Sequence, residues 1–208
     1  MINSKQETTH ILREKQIMHL LNQSNNPFVP TLFGTNQTDT ELMFLIEFVR
    51  GCDLLSVLST VKSFYHFYTA EVISCLIILH QQSIIYRDLK PEHVIIDQSG
   101  HIKLVDFGFA KQISSKTTTN CGTLVYVAPE VLKQTGTSFE ADVWSLGVLI
   151  HEMICGQTPF NTEDTMNQYD AIVKCRPVYS SLLGAQLREL LEKIFVPDPQ
   201  FRISLLQI

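Results

Sequence analysis

No basic run or stripe crosses this sequence, whose 16 Lys and Arg against 21 Asp and Glu leave a net charge of −5. A nucleic-acid surface built on clustered cations is thereby excluded. The small acidic excess inclines the chain toward basic peptides. Cysteine is sparse and scattered. Cys52, Cys75, Cys121, Cys155 and Cys175 form no CxxC pair and no ligand spacing with histidine, which excludes a disulfide framework and a zinc ribbon and implies free thiols in a reducing compartment. The opening residues, MINSKQETTH, lack the apolar core of a signal peptide. The longest apolar runs, 72–79 and 146–150, are too short to span a bilayer. Repeats, linkers and low-complexity tracts are absent. These absences predict a soluble, cytoplasmic protein without membrane or nucleic-acid partners. Its 208 residues suffice for one sizeable core, or for two lobes sharing a cleft.

What is present is organised around residues 86–108, YRDLKPEHVIIDQSGHIKLVDFG. The apolar run 94–96, the turn residues 97–100 and the return at Ile102, Leu104 and Val105 predict a hairpin. Asp88 and Asp106 then fall at one end of it and face a common cleft. One acid beside Lys90, and a second at a strand end before a glycine, suit a reaction in which a metal carries phosphate charge while a base orients a hydroxyl.

Around this centre, amphipathic spacing of Ile11, Leu12, Met18 and Leu21 predicts a helix over 5–22. Strands are predicted at 29–34 and 42–48, joined by polar turn residues. A short helix is predicted at 53–60 with Asp53 as a possible N-cap. Helices over 68–80 and 140–156, apolar on most of their circumference, belong in an interior. Residues 111–120, rich in Ser and Thr, predict a surface loop. Helix and loop follow through 183–202, and the chain reaches Ile208 partway through a predicted last helix.

YRDLKPE followed by DFG, with CGTLVYVAPE at 121–130, resembles the catalytic core of a eukaryotic protein kinase. The resemblance is nearest to the cyclic-nucleotide-dependent (AGC-group) Ser/Thr kinases and runs over nearly the whole chain. It implies an α+β, bilobal fold, with a partial N-lobe at 1–49 and a mainly helical C-lobe at 50–208. It also implies ATP and Mg²⁺ as cofactors, with Mn²⁺ as a substitute, and a protein hydroxyl as acceptor.

By the same resemblance Asp88 is the base that orients the hydroxyl, Lys90 meets the γ-phosphate and Thr123 contacts both. Asp106 holds the metal. Glu47 and Val49 match the hinge that bonds adenine, with Ile46 at its entrance and Ile95 beneath the base, although a plain buried strand fits these residues equally. Asp53 matches an acid that meets the ribose or a basic substrate residue, a role that stands beside its capping one. Met18, Leu32, Tyr86 and Phe107 match an apolar stack that aligns the lobes. Thr119 matches an activating phosphosite, with Arg87, Lys111 and His10 as the cations that would meet two added charges. Glu92 and Glu152 match acids that receive an arginine upstream of the target Ser or Thr. Glu14, Glu130, Asp142 and Arg202 match structural positions: an ion-pairing helix glutamate, a buried Glu–Arg pair and the acid bracing the catalytic loop.

The sequence departs from the family pattern in three places. Nothing before Glu14 resembles a Gly-rich loop or the strand that carries the ATP-binding lysine. His93 stands where the family has a metal-binding asparagine, and imidazole offers nitrogen where Mg²⁺ prefers oxygen. The rest of the last helix and a C-terminal tail are missing. The resemblance therefore implies a Ser/Thr kinase of basophilic type, with a pseudokinase-like scaffold or an inactive fragment as the alternative, and a regulatory domain or subunit as a possible partner.

Overall fold

The computed structural model describes residues 5–24, 26–38, 41–117, 122–162 and 164–208. Helix α1 (Lys5–Gln23) buries Ile17, Met18 and Leu21 and ends against a two-stranded antiparallel hairpin, β1 (Leu32–Gln37) and β2 (Leu42–Ile46). The junction is made by Asn22, whose amide donates to Leu32 O at 2.6 Å and accepts from Leu32 N at 3.1 Å. A side-chain amide thus stands in for a neighbouring strand. On one face of the hairpin Leu32 and Phe44 pack on the core. On the other, Phe33 and Leu45 remain 64% and 65% exposed.

The first strand begins later than the expected residue 29. Pro30 has no N–H, Phe28 O accepts from Leu104 N at 2.7 Å, and Thr31 N is taken by the Glu47 carboxylate at 2.9 Å. These groups are paired outside the hairpin ladder, so the strand cannot start there.

Next come β3 (Gly51–Asp53), α2 (Leu54–Val61) and α3 (Tyr65–Gln81), the last burying Val72, Cys75, Leu76 and Leu79. Strand β4 (Ile84–Ile85) leads into the segment at 86–93, followed by β5 (Val94–Asp97) and β6 (Ile102–Leu104). Strands β3, β5 and β6 form one antiparallel sheet in that spatial order, and β4 pairs with β7 (Lys111–Gln112). Lys111 and Gln112 therefore lie in a strand, not in the loop that composition predicts. A two-residue pairing leaves no periodicity in a sequence.

The remainder is helical: α4 (Pro129–Leu132), α5 (Glu140–Cys155), α6 (Thr165–Val173) and α7 (Ala185–Ile194). Helix α6, which the sequence reading does not include, starts at Asp164, whose carboxylate caps Met166 N and Asn167 N. Helix α5 is buried on all sides and stops at Gly156, which takes the left-handed conformation at φ 72°. It packs so closely on α7 that a Cβ on Gly147 would fall 2.5 Å from Ile194. In place of the predicted last α-helix, the structure has a single 3₁₀ turn, Leu205–Gln207, closed by a Ser204–Gln207 capping box.

Two buried polar groups connect these elements. Arg202 forms a bidentate pair with Glu130, at 2.7 and 2.9 Å, and donates further to Val196 O and Glu140 O. His151, fully buried in α5, has Nδ1 2.8 Å from Gln157 O, and burial holds its pKa below the usual histidine value.

Arg202→Met leaves the Glu130 carboxylate buried without its cation, and should lower unfolding free energy by about 3–5 kcal/mol in urea titration. His151 resists protonation when folded, so below about pH 6.5 the unfolded chain takes a proton that the folded chain refuses. Stability should therefore fall as pH drops from about 6.5 through the lower folded value. The fall should be smaller in His151→Leu; parallel denaturation midpoints for parent and variant between pH 5 and 7.5 would contradict this assignment.

Candidate active site

The site rests on the backbone of residues 86–88. Asp142, at the start of α5 and fully buried, accepts from Tyr86 N at 2.9 Å, Arg87 N at 2.8 Å and His80 Nε2 at 2.8 Å. Arg87 has φ 72° and Asp106 φ 60°, conformations that cost energy for non-glycine residues. The two hydrogen bonds into Asp142 hold Arg87 there. Gly122, at φ 102°, passes so near that a Cβ would lie 2.9 Å from Arg87 O.

Asp88 emerges from this turn nearly buried. Lys90 Nζ donates to its Oδ2 at 3.0 Å and to Thr123 Oγ1 at 3.2 Å. His93 joins the two aspartates: Nδ1 lies 3.0 Å from Asp88 O, and Nε2 lies 3.4 Å from Asp106 Oδ2. Asp106 accepts from Gly108 N at 3.1 Å through Oδ1 and remains 53% exposed. The segment at 86–106 thus brings Asp88, Lys90, His93 and Asp106 together, and Thr123 joins them from the later chain through Lys90.

A cavity of about 260 Å³ opens beside Asp106. Its walls include Glu14, Met18, Ile46, Glu47, Val49, Ile95 and Phe107. Burial, and then the nearby Asp106 charge, raise the Glu14 pKa. Among the described residues no cation lies within ion-pair distance of Glu14. Met18, Tyr86 and Phe107 are buried in one core with Leu32 packed against it, and the Tyr86 and Phe107 rings meet edge-on at 5.5 Å. A larger cavity, about 650 Å³, lies between α3, α5 and α7 and is lined by groups such as Tyr65, Ile73, Leu187 and Leu190, with none of the carboxylates that line the smaller one.

Asp53 caps α2, accepting from Ser56 N and Ser56 Oγ at 2.8 Å, and these bonds lower its pKa. Glu152 lies inside the surface, where Tyr126 OH donates to it. Its pKa is raised by burial, while the Tyr126 bond opposes this and the neighbouring Glu92 charge adds to it. The two acids share a negative region with no ion-pair partner among the described residues. Arg87 Nε donates to Phe109 O at 2.7 Å, Lys111 Nζ to Thr117 Oγ1 at 2.6 Å, and His10 is on α1, which packs beside β7. Thr119 lies outside the described residues.

Three contributors escape sequence reasoning. His80 supports Asp142 from 62 positions away, Tyr126 holds Glu152, and Lys103 Nζ reaches Glu47 at 3.3 Å to tie β6 to the segment after β2. Their partners are distant in sequence and belong to no shared periodicity. The polar handle of a Tyr in an apolar run was the one available signal for Tyr126.

The donor set fits a divalent cation at Asp106, whose half-exposed carboxylate opens on the cavity. The arrangement places a nearly buried carboxylate, an ammonium and a half-exposed carboxylate around one point. A family profile described as protein kinase domain matches residues 2–208. The chain is 39% identical over 205 residues to a cAMP-dependent protein kinase catalytic subunit of Arthrobotrys oligospora, covering 93% of this chain and 40% of that protein. It is 37% identical over 207 residues to cAMP-dependent protein kinase type 3 of Saccharomyces cerevisiae, covering 95% and 52%. To the cAMP-dependent protein kinase catalytic subunit PRKX of Mus musculus it is 38% identical over 209 residues, covering 98% and 57%. The chain thus spans about half the length of the curated relatives it matches. A match across residues 2–208, over a fold of mixed helices and small sheets, means that this chain belongs to the protein kinase domain family.

Proposed function

We propose that this chain carries the catalytic centre of a Ser/Thr protein kinase that moves the γ-phosphoryl of ATP to a hydroxyl preceded by basic residues. The observation that carries the reading is the convergence of Asp88, Lys90, Thr123 and Asp106 on one point. Residues 1–49 act as a partial N-lobe and 50–208 as the C-lobe. Mg²⁺, or Mn²⁺ in its place, would be held by Asp106 and would offset the charge of the phosphates when bound. Asp88 accepts a hydrogen bond from the substrate hydroxyl and takes its proton as the new O–P bond forms and the bond to the β-phosphate oxygen breaks. Lys90, held by Thr123, presents its ammonium to the γ-phosphate. Adenine would lie against Ile95, with main-chain atoms of Glu47 and Val49 toward its edge and Asp53 toward the ribose.

Glu92 and Glu152, which have no ion-pair partner among the described residues, support a preference for arginine before the target residue, because a guanidinium would supply a cation there. Phosphorylation at Thr119 would be met by Arg87, Lys111 and His10. A regulatory subunit accords with the words 'catalytic subunit' in the names of relatives, and a regulatory domain and a cytoplasmic location belong to the same reading. A second reading, a nucleotide-binding scaffold without turnover, is favoured by one observation: Glu14 lies near the Asp106 charge and, among the described residues, has no cation within ion-pair distance.

Purified chain incubated with Mg-ATP and Ser peptides should phosphorylate those with upstream Arg in preference to acidic ones, and Asp88→Asn should reduce turnover about 10²–10⁴-fold. Glu92→Gln with Glu152→Gln should raise KM for the Arg peptide more than it lowers kcat. Equal turnover of basic and acidic peptides would refute the preference. A thermal midpoint raised by Mg-ATP, without phosphotransfer, would establish the scaffold reading instead.

A further inference from the structure

His93 stands between the two aspartates with its ring 12% exposed and each nitrogen turned to a different side. Around Nδ1 are Asp88 O at 3.0 Å and Asp88 Oδ2 at 3.4 Å, both acceptors. A third oxygen, the Tyr86 hydroxyl, lies 3.3 Å away and gives its own hydrogen to Val105 O at 2.5 Å, so toward His93 it too accepts. Three acceptors put the proton on Nδ1. In that tautomer Nε2 carries a lone pair, and it lies 3.4 Å from the carboxylate oxygen Oδ2 of Asp106.

Two electron-rich atoms so placed are satisfied by a proton or by a metal ion between them, and the separation also suits the metal. Donors bound to one ion at about 2.0–2.2 Å stand roughly 3.0–3.5 Å apart, which spans the observed separation. We propose that His93 Nε2 and Asp106 Oδ2 form a site for a first-row transition ion, so that the second divalent ion of the phosphotransfer centre is one that accepts nitrogen in preference to Mg²⁺. The proposal rests on the phosphotransfer reading above. An asparagine at this position would brace Asp88 O through its N–H and offer an amide oxygen to the ion. The imidazole keeps the brace and exchanges the oxygen for nitrogen. Mg²⁺ dehydrates reluctantly and favours oxygen, whereas first-row transition ions take imidazole readily. Among the described residues no three His, Cys, Asp or Glu side chains form a metal cluster. Two protein donors hold an ion weakly, so phosphate oxygens must complete its shell and binding is linked to nucleotide.

Mn²⁺ is the probe, because pulsed electron paramagnetic resonance detects a directly bound nitrogen. The 208-residue chain, grown with ¹⁵N-histidine and loaded with Mn²⁺ and a non-hydrolysable ATP analogue, should show ¹⁵N coupling from imidazole on nucleotide-dependent Mn²⁺. The coupling should disappear in His93→Asn while nucleotide-dependent Mn²⁺ remains. If Mn²⁺ binds with nucleotide but the ¹⁵N coupling is absent from the parent chain, the proposal is overturned and the phosphotransfer reading survives. If no Mn²⁺ binds with nucleotide, both fall. The labelled parent decides even where the variant fails to fold.

Discussion

Everything at the site depends on one carboxylate that never meets solvent. Asp142 has its charge placed in the interior, where an unpaired anion costs several kcal/mol, and it is tolerated because two backbone N–H groups and His80 converge on it. The benefit is positional. Those bonds hold the main chain at Tyr86 and Arg87, and with it the left-handed Arg87 from which Asp88 projects. Helix α5, buried on every side and fixed to α7 at Gly147, is the rigid body that carries the anchor. The chemistry is therefore mounted on the core through a hydrogen-bonded acid, and the apolar packing of the helices fixes where Asp88 can be.

Around that anchor the centre is acidic. Glu14, Asp88 and Asp106 gather on one side and Glu92 with Glu152 on the other, and the pKa values of Glu14 and Glu152 are raised first by burial and further by the neighbouring acids. Lys90 compensates Asp88 directly. Such a field attracts cations from two directions, metal ions to the cavity and cationic side chains to the outer pair, and it repels a bare polyphosphate. Under the proposed phosphotransfer reading, nucleotide and metal would arrive together.

Much of this was legible in the sequence. The hairpin at 94–104, the turn residues between its strands and the two aspartates at one end follow from local pattern, because a short apolar run and turn chemistry act over a few residues. The long interior helices were equally clear, since an all-round apolar stretch such as 140–155 has few alternatives. What stayed hidden has a common character. Strands of two or three residues, such as Ile84–Ile85 with Lys111–Gln112, exist only through their partners. The late start of β1 was decided by the Glu47 carboxylate capturing Thr31 N, a contact across 16 positions. His93 was visible as a departure from a pattern, but its two-sided geometry required the positions of Tyr86, Asp88 and Asp106 at once.

The β1–β2 hairpin is supported from one side. Leu32 and Phe44 hold it to the core and Asn22 fastens its base, while Phe33 and Leu45 look outward. An element attached by a single face can detach without breaching the helical interior, so its amides should exchange with solvent through a local opening far shallower than global unfolding. Ile46 and the Glu47 that follows it line the cavity beside Asp106. The breathing of this hairpin therefore sets how long that wall of the cavity keeps its shape, a kinetic property of the binding site that is governed by an edge of the fold.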